Sequence, residues 1–290
     1  MQSEVIEWFD AHGRDLPWRR DGFTPWGALV SEFMLQQTPV ARVIPRLSEW
    51  LERWPTPEAL AKSSPADAVR AWQNLGYPRR ALWLHACAVT IVEEHNGEVP
   101  SDVDALLRLP GVGPYTARAV AVFAFRAHEP VVDTNIRRVI ARAVHGESDQ
   151  GPPATTRDLA EMTSLLPPPA TSPEFNAGMM ELGAIVCTAR NPLCDVCPLR
   201  QTCAWRTAGY PTSDSPRRRP QAKYEGSDRQ ARGAVLKFLR ERTEPVSRAS
   251  LETVWSDPAQ LDRAILTLLD DGLVVANGIG DRAALSLPLD

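Results

Sequence analysis

The sequence predicts an all-α fold for most of the chain, followed by a small α/β module. Three observations carry this reading. Apolar residues recur at helical spacing from Glu4 to about Arg206, interrupted only at Pro, Gly and Asn. No segment in that region alternates apolar and polar residues as a half-buried strand would. At Thr207 the composition shifts to Pro, Ser, Gly and Arg, and a different pattern begins after Ser227. The expected organisation is a helical domain over 1–206, a linker over 207–227 and a module over 228–290.

Taken in order, the first informative stretch is "SEFMLQQTP". Leu29, Val30, Phe33 and Met34 mark a core-facing stripe with Glu32 at its edge, an unusual place for a carboxylate. Thr38 followed by Pro39 reads as an N-cap and the first position of the next helix. "PEALAKSSPADAVRAWQNLGY" reads as two short helices, the second opening after Ser63-Ser64-Pro65. "RALWLHACAVTIVEEHNG" is a helix closed by Asn96-Gly97, with Cys87 as a small core residue. "LPGVGPYTARAVAVFAF" is a tight turn leading into an apolar helix. "IRRVIARAV" places Ile136, Val139, Ile140 and Ala143 on one face and Arg137, Arg138 and Arg142 on others. After the linker, helices are expected over 228–241, 248–255 and 258–271, then a hairpin in "GLVVANGIGDRAALSL". Three helices and a hairpin in that order resemble a winged helix.

The composition is 43% hydrophobic and 23% charged, that of a soluble globular protein. No apolar run approaches membrane-spanning length, and the N-terminus carries acids where a signal peptide would be basic. A cytoplasmic protein is expected. A net charge of −4 does not advertise a nucleic-acid binder, but a basic face can coexist with an acidic back. Residues 187–224 hold seven Arg/Lys against two Asp, with Arg217–Arg219 reading as part of a solvated linker.

Cys187, Cys194, Cys197 and Cys203 form a Cys-x6-Cys-x2-Cys-x5-Cys array. In a cytoplasmic chain this suits a tetrathiolate metal site, and zinc or an iron–sulfur cluster would each accept it. Gly111 and Gly113 allow a turn that presents backbone N–H groups at a helix N-terminus, which suits a phosphate without side-chain charge. Asp133 follows two valines and precedes a helix for which Asn135 is the expected N-cap and Asp133 itself the alternative.

The segments "LPWR", "SEFMLQQT", "LGY", "LPGVGPYTARAV", "VVDTNIRRV" and "FNAGMMELGAIVCT", together with the four cysteines, resemble the helix-hairpin-helix DNA glycosylases in content and order. The likeness is greatest to the A/G-specific, MutY-like adenine glycosylases, and covers about residues 4–206. It implies a two-lobed all-α fold, with one lobe holding the hairpin and the other built from both ends of the domain around a [4Fe–4S] cluster. By this resemblance Cys187, Cys194, Cys197 and Cys203 are the cluster ligands.

The resemblance also assigns chemistry. Adenine leaves poorly unless protonated, and a carboxylic acid in an apolar setting keeps its proton for delivery. Glu32 would protonate the base and later help activate water. Asp133 would stay ionised and stabilise the oxocarbenium-like sugar, the logic of glycoside hydrolysis applied to a nucleoside. Tyr115 and Asn135 would hydrogen-bond around this centre. Leu16, Trp18, Arg19, Leu35 and Glu181 would form the pocket for an adenine flipped out of the duplex. Gln37 and Tyr77 would enter the stack beside the opposing purine. The expected partner is double-stranded DNA carrying an adenine mispaired with 8-oxoguanine or guanine, engaged by a monomer in the bacterial cytoplasm, on the nucleoid.

Two departures bear on activity. Bifunctional relatives such as endonuclease III carry a lysine where this chain has Tyr115, and Lys62, Lys223 and Lys237 all lie outside the motifs. A monofunctional enzyme is therefore expected. The larger C-terminal domain that reads 8-oxoguanine in many members is replaced by the winged-helix-like module, which is expected to add DNA affinity. A thymine glycosylase acting on G·T mismatches is the nearest alternative, although arginines tend to stand there in place of Gln36 and Gln37. Endonuclease III-like removal of oxidised pyrimidines follows. A non-catalytic DNA-binding iron–sulfur protein is the remaining reading, and it would need neither Glu32 nor Asp133.

Overall fold

The computed structural model describes residues 1–212, 223–278 and 284–289. Arg217–Arg219 and the turn of the C-terminal hairpin lie outside the described residues. In chain order the helices are α1 (Gln2–His12), α2 (Pro25–Leu35), α3 (Val40–Arg53), α4 (Pro57–Ala61), α5 (Pro65–Trp72), α6 (Arg79–Glu94), α7 (Val103–Arg108) and α8 (Pro114–Phe125). They continue with α9 (Thr134–Ala143), α10 (Thr155–Leu165), α11 (Ser172–Ile185), α12 (Ala204–Thr207), α13 (Asp228–Arg240), α14 (Arg248–Leu251) and α15 (Pro258–Asp270). Three short strands, β1 (Val246–Ser247), β2 (Val275–Asn277) and β3 (Ala284–Ser286), complete the C-terminal module.

The chain divides into two compact units. One gathers Met1–Ala28, Ser101–Leu107 and the chain from Val112 through the cysteine loop. Its core packs α1 and α9 against α11 around Val5, Ile136, Val139, Phe175, Met179 and Leu182. Glycines set these approaches: a Cβ on Gly178 would fall 2.8 Å from Val5 Cγ1. Cys187, Cys197 and Cys203 pack on the edge of the same core.

The other unit holds Leu29–Pro100, Arg108–Gly111 and the C-terminal residues. Its core places α4 and α5 on α6, with Trp50 edge-on to Trp54 and Trp72 at centroid distances of 4.6 and 5.7 Å. Ser64 caps α5 as expected, its Oγ accepting from Asp67 N, whereas the C-cap of α6 is His95. Asn96 and Gly97 follow it with φ of 54° and 78°, and Gly97 N donates back to Ile91 O at 3.0 Å. Thr38 does not cap α3. Pro39 takes that position, and the buried Thr38 hydroxyl donates to the carbonyls of Leu75 and Gln36.

In the C-terminal module β3 pairs antiparallel with both neighbours, in the order β1-β3-β2, with Leu285 opposite Val246 and Ala276. The element order is winged-helix-like. The strand β1 escaped the sequence reading because two residues show no periodicity. The middle helix stops at Leu251 rather than running to Trp255.

Candidate active site

Asp133 is the N-cap of α9. Its Oδ1 accepts the Ile136 amide at 2.7 Å, and its Oδ2 accepts Asn135 Nδ2 at 2.8 Å. The expectation that Asn135 caps this helix is corrected: Asn135 lies inside the first turn, which frees its side chain to reach back to Asp133. Arg138 donates to Asn135 Oδ1 at 2.8 Å, to Gly183 O at 2.6 Å and to Cys187 O at 2.7 Å. One arginine thus ties the carboxylate's support to α11 and to the first cysteine. Burial pushes the Asp133 carboxyl above the usual aspartate range, opposed by the Ile136 and Asn135 hydrogen bonds and the Arg138 charge. Desolvation thus outweighs the donors in setting the direction of the shift.

In the same unit Glu181 is 1% exposed and accepts from Arg14 Nε at 2.6 Å, Arg14 Nη2 at 2.8 Å and Arg19 Nη2 at 2.9 Å. Burial alone would raise its pKa, but the hydrogen bonds from Arg14 and Arg19 pull it down to about 2. Arg19 ends the short 3₁₀ turn Pro17–Arg19, beside the buried Leu16 and the half-buried Trp18. Arg14 was not singled out in the sequence. Nothing in "GRDLPWR" shows that both arginines converge on a glutamate more than 160 residues away.

In the other unit Glu32 is 8% exposed on α2, among Leu29, Val30, Phe33 and Met34, all fully buried. Leu35, half-buried, ends the helix. Gln37 and Tyr77, both exposed, take left-handed φ of 54° and 45°, and the Tyr77 hydroxyl donates to Gln37 Oε1 at 2.6 Å. The buried Arg80 holds both segments: it donates to Phe33 O and Gln36 O at 2.6 Å each, and to Gly76 O at 3.2 Å. Its guanidinium lies 5.3 Å from the Tyr77 ring centroid. Arg80 was missed because its role depends on two loops meeting.

Gly111 requires glycine twice over. Its φ is +76°, and a Cβ would fall 2.7 Å from Trp83 Cβ and 2.9 Å from Phe33 Cε1. Gly113 differs, with a φ of −96° and open space where a Cβ would stand, as the N-cap of α8. Tyr115, in the first turn of α8, is half-buried against Ala119, Val122 and Val131.

The four cysteines line one small cavity with Arg142 and Trp205. Burial pushes the Cys197 thiol up to about 11, so this group ionises only when a positive partner compensates. Arg142 provides a cation: its Nη1 is 3.5 Å from Cys187 Sγ, and its guanidinium stacks 4.6 Å from the Trp205 ring centroid. The donor set fits a group that takes four thiolates.

Comparison with known proteins agrees with this architecture. Residues 30–164 match the HhH-GPD superfamily of base excision DNA repair proteins, and residues 187–203 match the iron–sulfur binding domain of endonuclease III. The adenine DNA glycosylase of Mycolicibacterium smegmatis is 59% identical over 98% of this chain and 95% of its own length. This chain belongs to the adenine DNA glycosylase family. The Mycobacterium tuberculosis adenine DNA glycosylase is 57% identical over 94% of this chain and 89% of its own. A thermostable thymine-DNA glycosylase structure aligns with a TM-score of 0.65 at 28% identity, over 71% of this chain and 94% of its own.

The protein is therefore a base-excision glycosylase that acts on DNA and carries a [4Fe–4S] loop. The adenine glycosylase match extends through the C-terminal module, and the likeness to the thymine enzyme covers less of the chain at lower identity. That order ranks the G·T reading second and sets the non-catalytic reading aside. No described helix is long and apolar enough to cross a membrane.

Proposed function

We propose that this enzyme hydrolyses the N-glycosidic bond of adenine mispaired with 8-oxoguanine or guanine in duplex DNA, leaving an intact abasic site. The observation that carries the reading is the contrast between two carboxylates. Glu32 is buried in an apolar helical stripe, whereas Asp133 is fixed at a helix N-terminus by two donors. Glu32 delivers a proton to the extruded base, which turns adenine into a neutral leaving group, and afterwards takes a proton from the attacking water. Asp133, ionised, faces the cationic sugar as the bond breaks, with the helix dipole and Asn135 holding it in one orientation. Tyr115 hydrogen-bonds beside this centre.

Leu16, Trp18, Arg19, Leu35 and Glu181 receive the base. The exposed Gln37 and Tyr77 enter the stack next to the opposing purine. The backbone at Gly111 and Gly113 approaches a phosphate. Cys187, Cys194, Cys197 and Cys203 would hold the cluster, which would tie together residues 187–203 when bound. The catalytic part is 1–206, and the enzyme works as a monomer on the cytoplasmic nucleoid. With Tyr115 in place of an amine nucleophile, no Schiff base forms with the sugar.

The test is single-turnover excision from four duplexes, with adenine opposite 8-oxoguanine, guanine or thymine and with thymine opposite guanine. Strand breaks are developed by alkali after quenching. Fast adenine release opposite 8-oxoguanine, with breaks appearing only after alkali, is expected. Cleavage of the thymine duplex alone would overturn the base assignment.

A further inference from the structure

The C-terminal module is poorly equipped to hold DNA. Residues 228–290 contain eight Arg/Lys against ten Asp/Glu. Much of its positive charge is engaged within its own unit. Arg248 pairs with Asp262 and Glu252, Arg263 with Asp228, and Arg232 with Asp271. The helix α15, which would read bases in a DNA-binding winged helix, carries Asp262 and Asp270 against Arg263 and exposes Leu266.

The module instead docks onto helices of its own unit. Arg240 donates to Val69 O at 3.0 Å, at the packing of α13 on α5, and burial lowers its pKa to about 10. Arg70 donates to Arg242 O at 3.2 Å. The turn after α15 meets the first turn of α6: Asp271 accepts from Arg79 at 3.3 Å, and a Cβ on Gly272 would lie 4.0 Å from Leu82 Cδ1. Arg79 follows the Tyr77-Pro78 turn directly, and its guanidinium lies 5.3 Å from the Trp83 ring centroid. Trp83 Cβ is in turn the floor beneath Gly111. Asp271 therefore reaches one arginine that stands between the Tyr77 turn and the support of the hairpin.

We propose that the C-terminal module is a positioning device that acts through the Asp271–Arg79 pair, fixing the Tyr77 turn and the Trp83 platform under Gly111 for DNA, rather than a second DNA-binding surface. The proposal rests on the reading that Tyr77 and Gly111 meet DNA. It assigns Asp271 and Arg79 as positioning residues for recognition of the mispair.

The experiment measures the affinity of the full-length, cluster-loaded protein for a duplex with a hydrolysis-resistant 2′-fluoro-adenosine opposite 8-oxoguanine, across a salt series. Melting temperatures are taken alongside. Asp271→Asn removes a negative charge, so if the module touched DNA directly the variant would bind more tightly. Positioning gives the opposite sign: binding weakens about threefold, the scale of a partly exposed ion pair, with an unchanged salt slope. The double variant should match Asp271→Asn, which also frees Arg232; Arg79→Gln should weaken binding in the same direction, and Arg79→Lys should recover part of that loss. Tighter or unchanged binding by Asp271→Asn would overturn the brace alone. So would a salt slope reduced by Lys237→Ala, which marks direct phosphate contact. If Tyr77→Ala left affinity unchanged, the placement of Tyr77 on DNA would fall, and the brace with it.

Discussion

Gly183 and Asn135 approach so closely that a Cβ on the glycine would fall 2.7 Å from Asn135 Cβ and 2.7 Å from its carbonyl oxygen. Helix α11 therefore presses its bare backbone onto the first turn of α9, where the Asn135 side chain bridges Asp133 and Arg138. Gly183→Ala must displace Asn135 or the helix. The expected result is a loss of about 1–3 kcal/mol in stability, the usual cost of overpacking, with a larger fractional loss of excision rate. Chemical denaturation and single-turnover kinetics on the same preparation would check it, and an alanine variant with native rate would refute it.

Two carboxylates in this unit titrate in opposite directions. The raised pKa of Asp133 means that folding favours its protonated form, so this stability is present below the ordinary value of 3.8 and lost as pH rises through the raised one. Asp133→Asn keeps a capping oxygen and removes the buried charge. It should melt no lower than wild type at pH 7, with its advantage shrinking toward pH 4.

Glu181 behaves conversely. Its pKa of about 2 contributes stability above the ordinary value of 4.5 that is lost as pH falls toward 2, on the order of 3 kcal/mol at most. Glu181→Gln should be destabilised at pH 7 and converge on wild type in acid. Melting curves at three pH values decide both signs.

Arg80 is expected to be the costliest single loss outside the apolar core. Its removal strips the Phe33, Gln36 and Gly76 carbonyls of a charged donor inside the fold. Arg80→Met should cost about 3 kcal/mol; Arg80→Lys keeps a charged donor and should cost somewhat less, but not nothing, because an ammonium cannot fork between two loops. Urea denaturation would measure this; a loss under 1 kcal/mol would show that the loops hold without it.

Arg142→Gln should lower iron content while leaving the helices intact. The substitution removes the cation beside Cys187 and the donor to Thr188 O at 2.7 Å. Iron per chain and visible absorbance, compared with far-ultraviolet circular dichroism, would separate cluster loss from unfolding. Full iron occupancy in the variant would contradict the role assigned to Arg142.

The helices were legible because apolar spacing and local caps are encoded within a few residues, as at Ser64. The N-cap at Asp133 was displaced by two positions, since adjacent Asp, Thr and Asn are all competent caps and only the packed helix chooses among them. Arg138 and Arg142 fall outside the apolar stripe of α9, and nothing local marks them as buried. They are buried because loop carbonyls more than 40 residues on accept their hydrogen bonds. Arg14, Arg80 and Asp271 were likewise invisible: their roles exist only once distant segments meet. The catalytic candidates came instead from the order of motifs along the chain, a form of information that local propensity does not carry.

The central claim is that Glu32 and Asp133 divide one excision between proton delivery and cation stabilisation. Its most direct test is the single-turnover release of adenine opposite 8-oxoguanine by wild type, Glu32→Gln and Asp133→Asn, each shown to be folded and cluster-loaded. Loss of excision in both variants, by at least about 100-fold with duplex binding retained, is the expected outcome. Near-native release by either variant would contradict the assignment.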